Sequence, residues 1–125
     1  MAKKFDQGKL RVDLLPPDAL EALADIYTHG AKEYGDRNWE DGGFSWGRLF
    51  AAMMRHAWAF WRGEDMDPES GLPHAAHMTW NAMALLAYWL RGQGKDDRSP
   101  VVGYLQHKEG WNDEQEVFKG QSTPE

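Results

Sequence analysis

The chain has 125 residues, 42% of them hydrophobic, with seven Trp and no Cys, which is enough for one hydrophobic core and excludes disulfides, thiolate metal sites and cysteine nucleophiles. A formal net charge of -6 sets the surface field against a phosphate backbone, so long nucleic acid is a poor partner. No apolar run approaches the roughly 20 residues of a membrane span, and the opening Met1-Ala2-Lys3-Lys4-Phe5-Asp6 lacks the apolar stretch of a secretory signal, so no membrane partner and a cytoplasmic location are expected.

Residues 3–15 mix small, charged and apolar positions and run into Pro16-Pro17, which reads as an extended arm. Pro17 suits the first position of a helix, where its missing N–H is not needed, and Leu20, Leu23, Tyr27 and Tyr34 then recur at helical spacing until Gly35. Gly30, inside that pattern, predicts close approach of another backbone. Residues 36–44 read as a loop around Gly42-Gly43, and Ser45 is placed to cap a second helix. There Trp46, Leu49, Phe50, Met53, Ala57, Phe60 and Trp61 fall on one stripe at about 100° per residue, the expected buried face, and Gly63 ends it. Arg48, Arg55 and Arg62 occupy the opposite side, a solvated basic face or a surface for a charged partner.

An acidic connection over residues 64–71 leads to a third helix over 74–91. That helix is apolar nearly all round, with Met83, Leu86 and Leu90 opposite Met78, Leu85 and Tyr88, and is therefore expected to be central or buried in an oligomer. The fold class is all-α, with three main helices in a domain over residues 1–92. Residues 93–125 read as a linker and charged tail, whose strand signal is confined to Val101-Val102-Gly103-Tyr104-Leu105.

One anomaly points to chemistry. His74, His77 and Asn81 share a face with Met78, Leu85 and Tyr88, so polar groups fill half of an otherwise apolar stripe. Burying each without a partner costs about 1–3 kcal/mol, so they must bond each other or a ligand. His56, at the edge of the second helix's apolar stripe, is the expected neighbour if the two helices pack antiparallel. Glu64 and Asp67, three apart, could share a divalent ion if their turn is helical, and oxygen ligands favour Mg²⁺ or Mn²⁺. On the first helix His29, Lys32, Glu33 and Arg37 line the polar side, and Asn38-Trp39-Glu40 supplies an amide, an indole and a carboxylate. These suit reading a purine edge and stacking on its face, or else a turn whose Trp anchors the loop in the core. No His-Glu-x-x-His, His-Asp dipeptide, Gly-rich phosphate loop or Gly-x-Ser-x-Gly occurs, which removes the usual zinc, P-loop and serine-nucleophile chemistries.

In these residues the sequence resembles a phage-associated family, the dATP/dGTP diphosphohydrolase N-terminal domain, which is linked to MazG-like nucleotide pyrophosphohydrolases. The resemblance covers residues 3–91. It is carried by Lys4-Phe5-Asp6-Gln7-Gly8-Lys9, Asp13-Leu14-Leu15-Pro16, the run Gly30-Ala31-Lys32-Glu33-Tyr34-Gly35-Asp36-Arg37-Asn38-Trp39-Glu40, Arg55-His56, Gly63-Glu64, Asp67-Pro68-Glu69-Ser70-Gly71, and His74, His77 and Asn81. It implies a helical fold assembled into dimers or higher homo-oligomers, located in the host cytoplasm if phage-encoded. It also implies cleavage of a purine deoxynucleoside triphosphate to monophosphate and pyrophosphate with Mg²⁺ or Mn²⁺. MazG-like enzymes hold metal with Glu-x-x-Glu on one helix and Glu-x-x-Asp on the next, where this chain offers His74-x-x-His77 and Asn81.

The expected division of roles gives the ion to Glu64 and Asp67. His56 and His77 orient water or phosphate, with Glu33 or Glu40 assisting. Lys32, Arg37, Asn38, Trp39, Arg55, His74 and Asn81 hold the small-molecule nucleotide. Two alternatives remain: a non-catalytic module that sequesters a nucleotide or nucleotide-derived signal, and a helical phage protein acting through its surface.

Overall fold

A computed structural model describes residues 2–100. A 3₁₀ turn at Val12–Leu14 interrupts the expected extended arm, and Arg11 and Asp13 form an exposed pair there at 2.7 Å. Helix α1 spans Pro17–Tyr34, beginning with proline at the first position and ending at Gly35, whose φ of 95° only glycine adopts freely. A second 3₁₀ turn, Asn38–Asp41, lies in the expected loop. Helix α2 spans Trp46–Trp61 and helix α3 spans His74–Arg91, and among the described residues there is no β-strand beyond isolated bridges. The all-α expectation therefore holds.

Helices α2 and α3 form the principal packed pair, with α1 against α3. Leu49, in the first turn of α2, clusters with Ala84 and Tyr88 near the end of α3, whereas His56, late in α2, meets His74 at the start of α3. The two helices accordingly run antiparallel, with an apolar end and a polar end. Trp39 sits over the apolar end, 6.1 Å from Tyr88, 6.2 Å from Trp80 and 6.2 Å from Tyr27 between ring centroids, and the Tyr88 hydroxyl donates to the Trp39 carbonyl.

One packing expectation is corrected. The α2 stripe is only partly covered: Leu49 is buried, but Phe50 is 53% and Trp61 87% exposed. Helix α3 is the central helix, packing on both α1 and α2, and its Leu86 and Leu90 face solvent. Among the described residues, three helices leave part of the apolar surface of α2 and α3 exposed.

Residues 93–98, read as the start of a linker, are tied to the domain. Trp46 donates its backbone N–H to the Lys95 carbonyl and its indole N–H to the Gln93 carbonyl, while Gly47 N–H donates to the Asp97 carboxylate at 2.7 Å. Together with the Ser45 side chain, which accepts from Arg48 N–H, Asp97 satisfies the free amides at the start of α2. Residues 101–105, with their strand signal, and the tail after them lie outside the described residues.

Gly94 makes this return possible. With φ of 75°, its ideal Cβ would stand 2.6 Å from the Tyr88 ring and 2.8 Å from the Phe44 carbonyl. Gly30 is the reverse case and corrects the expectation of close backbone approach, because nothing lies within 4 Å of its Cβ position. Gly94→Ala is expected to lower unfolding free energy by about 2–4 kcal/mol through overlap and left-handed strain. Gly30→Ala is expected to raise it by about 0.5–1 kcal/mol through helix propensity. Denaturant titration of the two variants checks the opposite signs.

Candidate functional site

At the polar end of the α2–α3 pair a cavity of about 500 Å³ opens between α1, α2 and the start of α3. The loop between α2 and α3 shapes its floor by bonding to itself. Asp67 N–H donates to Leu72 O, Gly71 N–H to Asp67 O, and His74 N–H to Asp65 O, so Asp67 and Ser70 turn inward. The Asp67 carboxylate accepts from Glu69 N–H at 3.0 Å and from the Ser70 hydroxyl at 3.3 Å.

Three imidazoles meet on this floor. His74 is 5% exposed, and both its nitrogens are engaged: Nε2 lies 2.7 Å from Glu64 Oε1, and Nδ1 lies 2.9 Å from His56 Nδ1. One proton is shared between the two Nδ1 atoms. With His74 Nε2–H donating to the Glu64 carboxylate, Nδ1 is left as the acceptor. His56 therefore donates through Nδ1–H and keeps its lone pair on Nε2. The His56 ring stacks on His77, with centroids 4.5 Å apart and planes 8° from parallel. His77 Nε2 lies 2.7 Å from Ser70 Oγ and 3.5 Å from Asp67 Oδ2. Ligand atoms of His56, Asp67 and His77 all lie within 4.8 Å of one another.

Burial pushes His56 below the ordinary imidazole pKa, helped by mutual repulsion with His77 and His74. Burial also lowers His77, against an opposing pull from Asp67. For Asp67 burial is the largest single influence and acts upward, but the Glu69 amide, His77 and the Ser70 hydroxyl together outweigh it and hold the carboxyl below its usual value. The floor thus presents neutral nitrogen donors beside an ionised carboxylate at neutral pH.

The walls carry Tyr27, Tyr34, Trp39 and Trp80 as aromatic surface, Glu33 and Glu69 as carboxylates, and Arg37 and Arg55 as cations, with Asn38 beside Arg37. Arg37 is held at φ 56°, ψ 29°, a left-handed conformation unfavourable for a residue with a Cβ. Thirteen side chains were expected at the site, and His56, His77, Glu33, Arg37, Asn38, Trp39, Arg55, His74 and Asp67 line this one cavity.

Four are placed elsewhere. Lys32 is exposed on α1. Glu40 pairs with Arg91 at 4.0 Å. Asn81, though buried, donates to the His77 carbonyl of its own helix at 2.9 Å. Glu64 turns to His74 and stands apart from the ligand-atom group that contains Asp67.

Trp39 combines both roles weighed for it, since it lines the cavity while packed among Tyr27, Trp80 and Tyr88. Ser70 is the partner that sequence reading missed. In the sequence it stands in the run Asp67-Pro68-Glu69-Ser70-Gly71 without an assigned role, and its approach to His77 depends on the fold of the loop.

A compact helical domain whose antiparallel pair holds an imidazole–carboxylate cavity is the class that this fold and site define. Residues 1–98 match the family described as dATP/dGTP diphosphohydrolase, N-terminal, and the chain belongs to that family. A protein of Salmonella phage PMBT28 named dATP/dGTP diphosphohydrolase is 38% identical over 87 residues, which are 70% of this chain and 29% of that protein. The chain thus spans less than a third of the length of that relative. No solved structure matches it. No described helix is long and apolar enough to cross a membrane.

The lowered imidazoles give a signed pH dependence for metal-free protein. The unfolded chain binds more protons than the folded one once pH falls below about 6.5, so stability is full above that value and is lost on acidification. Asp67 adds a loss of the same sign below about pH 4. The groups facing the pair are His74, Asp67, Glu69, His29 and Arg55. Thermal midpoints measured with chelator at constant ionic strength are expected to fall between pH 7 and pH 5, and to fall less steeply in a His56→Gln, His77→Gln variant. Equal slopes in the two proteins would contradict the assignment.

Proposed function

We propose that the cavity binds a purine deoxynucleoside triphosphate and hydrolyses it to monophosphate and pyrophosphate. The observation that carries this reading is the cavity's division of labour. Tyr27, Tyr34, Trp39 and Trp80 share one lining with Arg37 and Arg55 and with His56, His77 and Asp67, within a volume typical of small-molecule sites. Membership of the family and the printed name of the phage relative support the choice of purine deoxynucleotide.

The resemblance implies Mg²⁺ or Mn²⁺, and the donor set supports Mn²⁺ over Mg²⁺. Two imidazole nitrogens and one carboxylate suit Mn²⁺, whereas Mg²⁺ takes oxygen donors. His56, His77 and Asp67 would hold the ion. A divalent ion held there supplies charge neutralisation and Lewis acidity at the phosphate.

The chain's own groups do the rest. Arg37 and Arg55 bind phosphate oxygens, Arg in a two-pronged fashion where geometry permits. Tyr34, 69% exposed on the wall, offers a ring face for the base, and Asn38 an amide for its edge. Water attacks the α-phosphorus, the bond to the bridging oxygen breaks, pyrophosphate leaves, and Glu33 accepts the proton released by water. Assembly of several copies belongs to the same reading, supported by the exposed Phe50, Trp61, Leu86 and Leu90, and sedimentation of the full chain checks it.

A second reading, binding without turnover, is favoured by one fact: most of the named phage relative lies outside the region shared with this chain. Calorimetry and product chromatography with the four deoxynucleoside triphosphates and Mn²⁺ separate the two. Binding of dATP or dGTP with release of pyrophosphate is the expected result; binding alone selects the second reading, and no binding removes both. Arg37→Gly, which relieves the left-handed strain, is expected to hold or raise stability by up to about 1 kcal/mol. The same change is expected to weaken triphosphate binding about tenfold.

A further inference from the structure

We infer that His56, His77 and Asp67 form a protein-built site for one first-row transition-metal ion that fills without nucleotide, with His74 and Glu64 as positioning residues behind His56. Three observations converge on it. Two imidazole nitrogens and a carboxylate oxygen lie within 4.8 Å of one another, on elements fixed by α2, α3 and the self-bonded loop between them. His77 Nε2 and Asp67 Oδ2 stand 3.5 Å apart, close to the roughly 3.4 Å edge of a tetrahedron with metal bonds of about 2.0–2.1 Å. Such a set leaves room for a fourth, exchangeable ligand, the arrangement of sites that act on a substrate rather than brace a fold.

The third observation lies behind His56. A ligating histidine usually gives its other ring N–H to a fixed acceptor, which sets the tautomer and aims the lone pair. Here the acceptor is itself an imidazole, oriented by a carboxylate: His56 Nδ1 to His74 Nδ1 at 2.9 Å, then His74 Nε2 to Glu64 Oε1 at 2.7 Å. His74 is buried, is not one of the three clustered residues, and has both ring nitrogens engaged by His56 and Glu64, so its placement serves His56. The inference stands on this geometry and not on the identity of any nucleotide; metal binding without turnover leaves it intact.

The test uses the untagged full chain, stripped with chelator and titrated by calorimetry with Zn²⁺, Co²⁺, Mn²⁺ and Mg²⁺ separately, with visible absorption followed for Co²⁺. One ion per chain is expected for Zn²⁺ and Co²⁺, with a Co²⁺ spectrum of nitrogen ligation and Mg²⁺ weaker by roughly two orders of magnitude or more. Asp67→Ala and His77→Ala should abolish binding. Glu64→Gln should weaken it by about 10–100-fold with the helical signal unchanged. Because the Glu64 side chain is 55% exposed, that variant remains informative if a core-facing one fails to fold. Equal affinity for Mg²⁺ and Zn²⁺, no bound ion, or full Zn²⁺ affinity in both Glu64→Gln and His77→Ala would overturn the inference.

Discussion

A buried imidazole has two nitrogens to satisfy, and the arrangement of the polar end follows from how His74 meets that demand. Leaving either nitrogen unpartnered costs about 1–3 kcal/mol, a large share of the stability of a domain this size. One partner is His56 on α2 and the other is Glu64 on the loop, so a single residue at the first position of α3 joins three segments. Helix pairing through Leu49, Ala84 and Tyr88 brings the segments close, but apolar contact has no directional preference. The hydrogen bonds supply the direction, fixing which edge of His56 faces the cavity.

The walls are built on a different economy. Trp39 and Trp80 belong to the aromatic group around Tyr88 and also border the cavity. A surface that is also packed into the core cannot adjust without disturbing the fold, so this wall of the cavity is rigid. Arg37 and Arg55, by contrast, are exposed. Rigid apolar walls with exposed cations suit a ligand that has a flat, fixed ring and an anionic tail.

Much of this was legible in the chain. The proline start and glycine stop of α1, the Ser45 cap and the polar half of the third helix's stripe all fix features by local rules, and the structure shows each of them. What was not legible depends on contacts distant in sequence or on competition within one helix. Asn81 shares a face with His77, but periodicity cannot tell that its amide turns back to the carbonyl four residues earlier. Glu64 and Asp67 have metal-like spacing, yet the loop bonds separate their roles, and only the fold reveals that Glu64 faces His74. The α2 stripe identified apolar residues correctly, but no pattern in one chain states how much apolar surface three helices can cover, so Phe50 and Trp61 remained misread as core.

The docking of Asp97 onto the first turn of α2 gives that helix a beginning written partly by residues 50 positions later. Ser45 alone would make the helix start a local event; sharing it with Asp97 couples nucleation of α2 to closure of a long chain loop. The amides near Gly47 should then exchange with solvent only when the returning strap lifts, making the helix start and the strap one cooperative unit of opening. Across the molecule, this unit adjoins Tyr88 and Trp39, so partial unbuckling would loosen the aromatic wall before it reached the histidines.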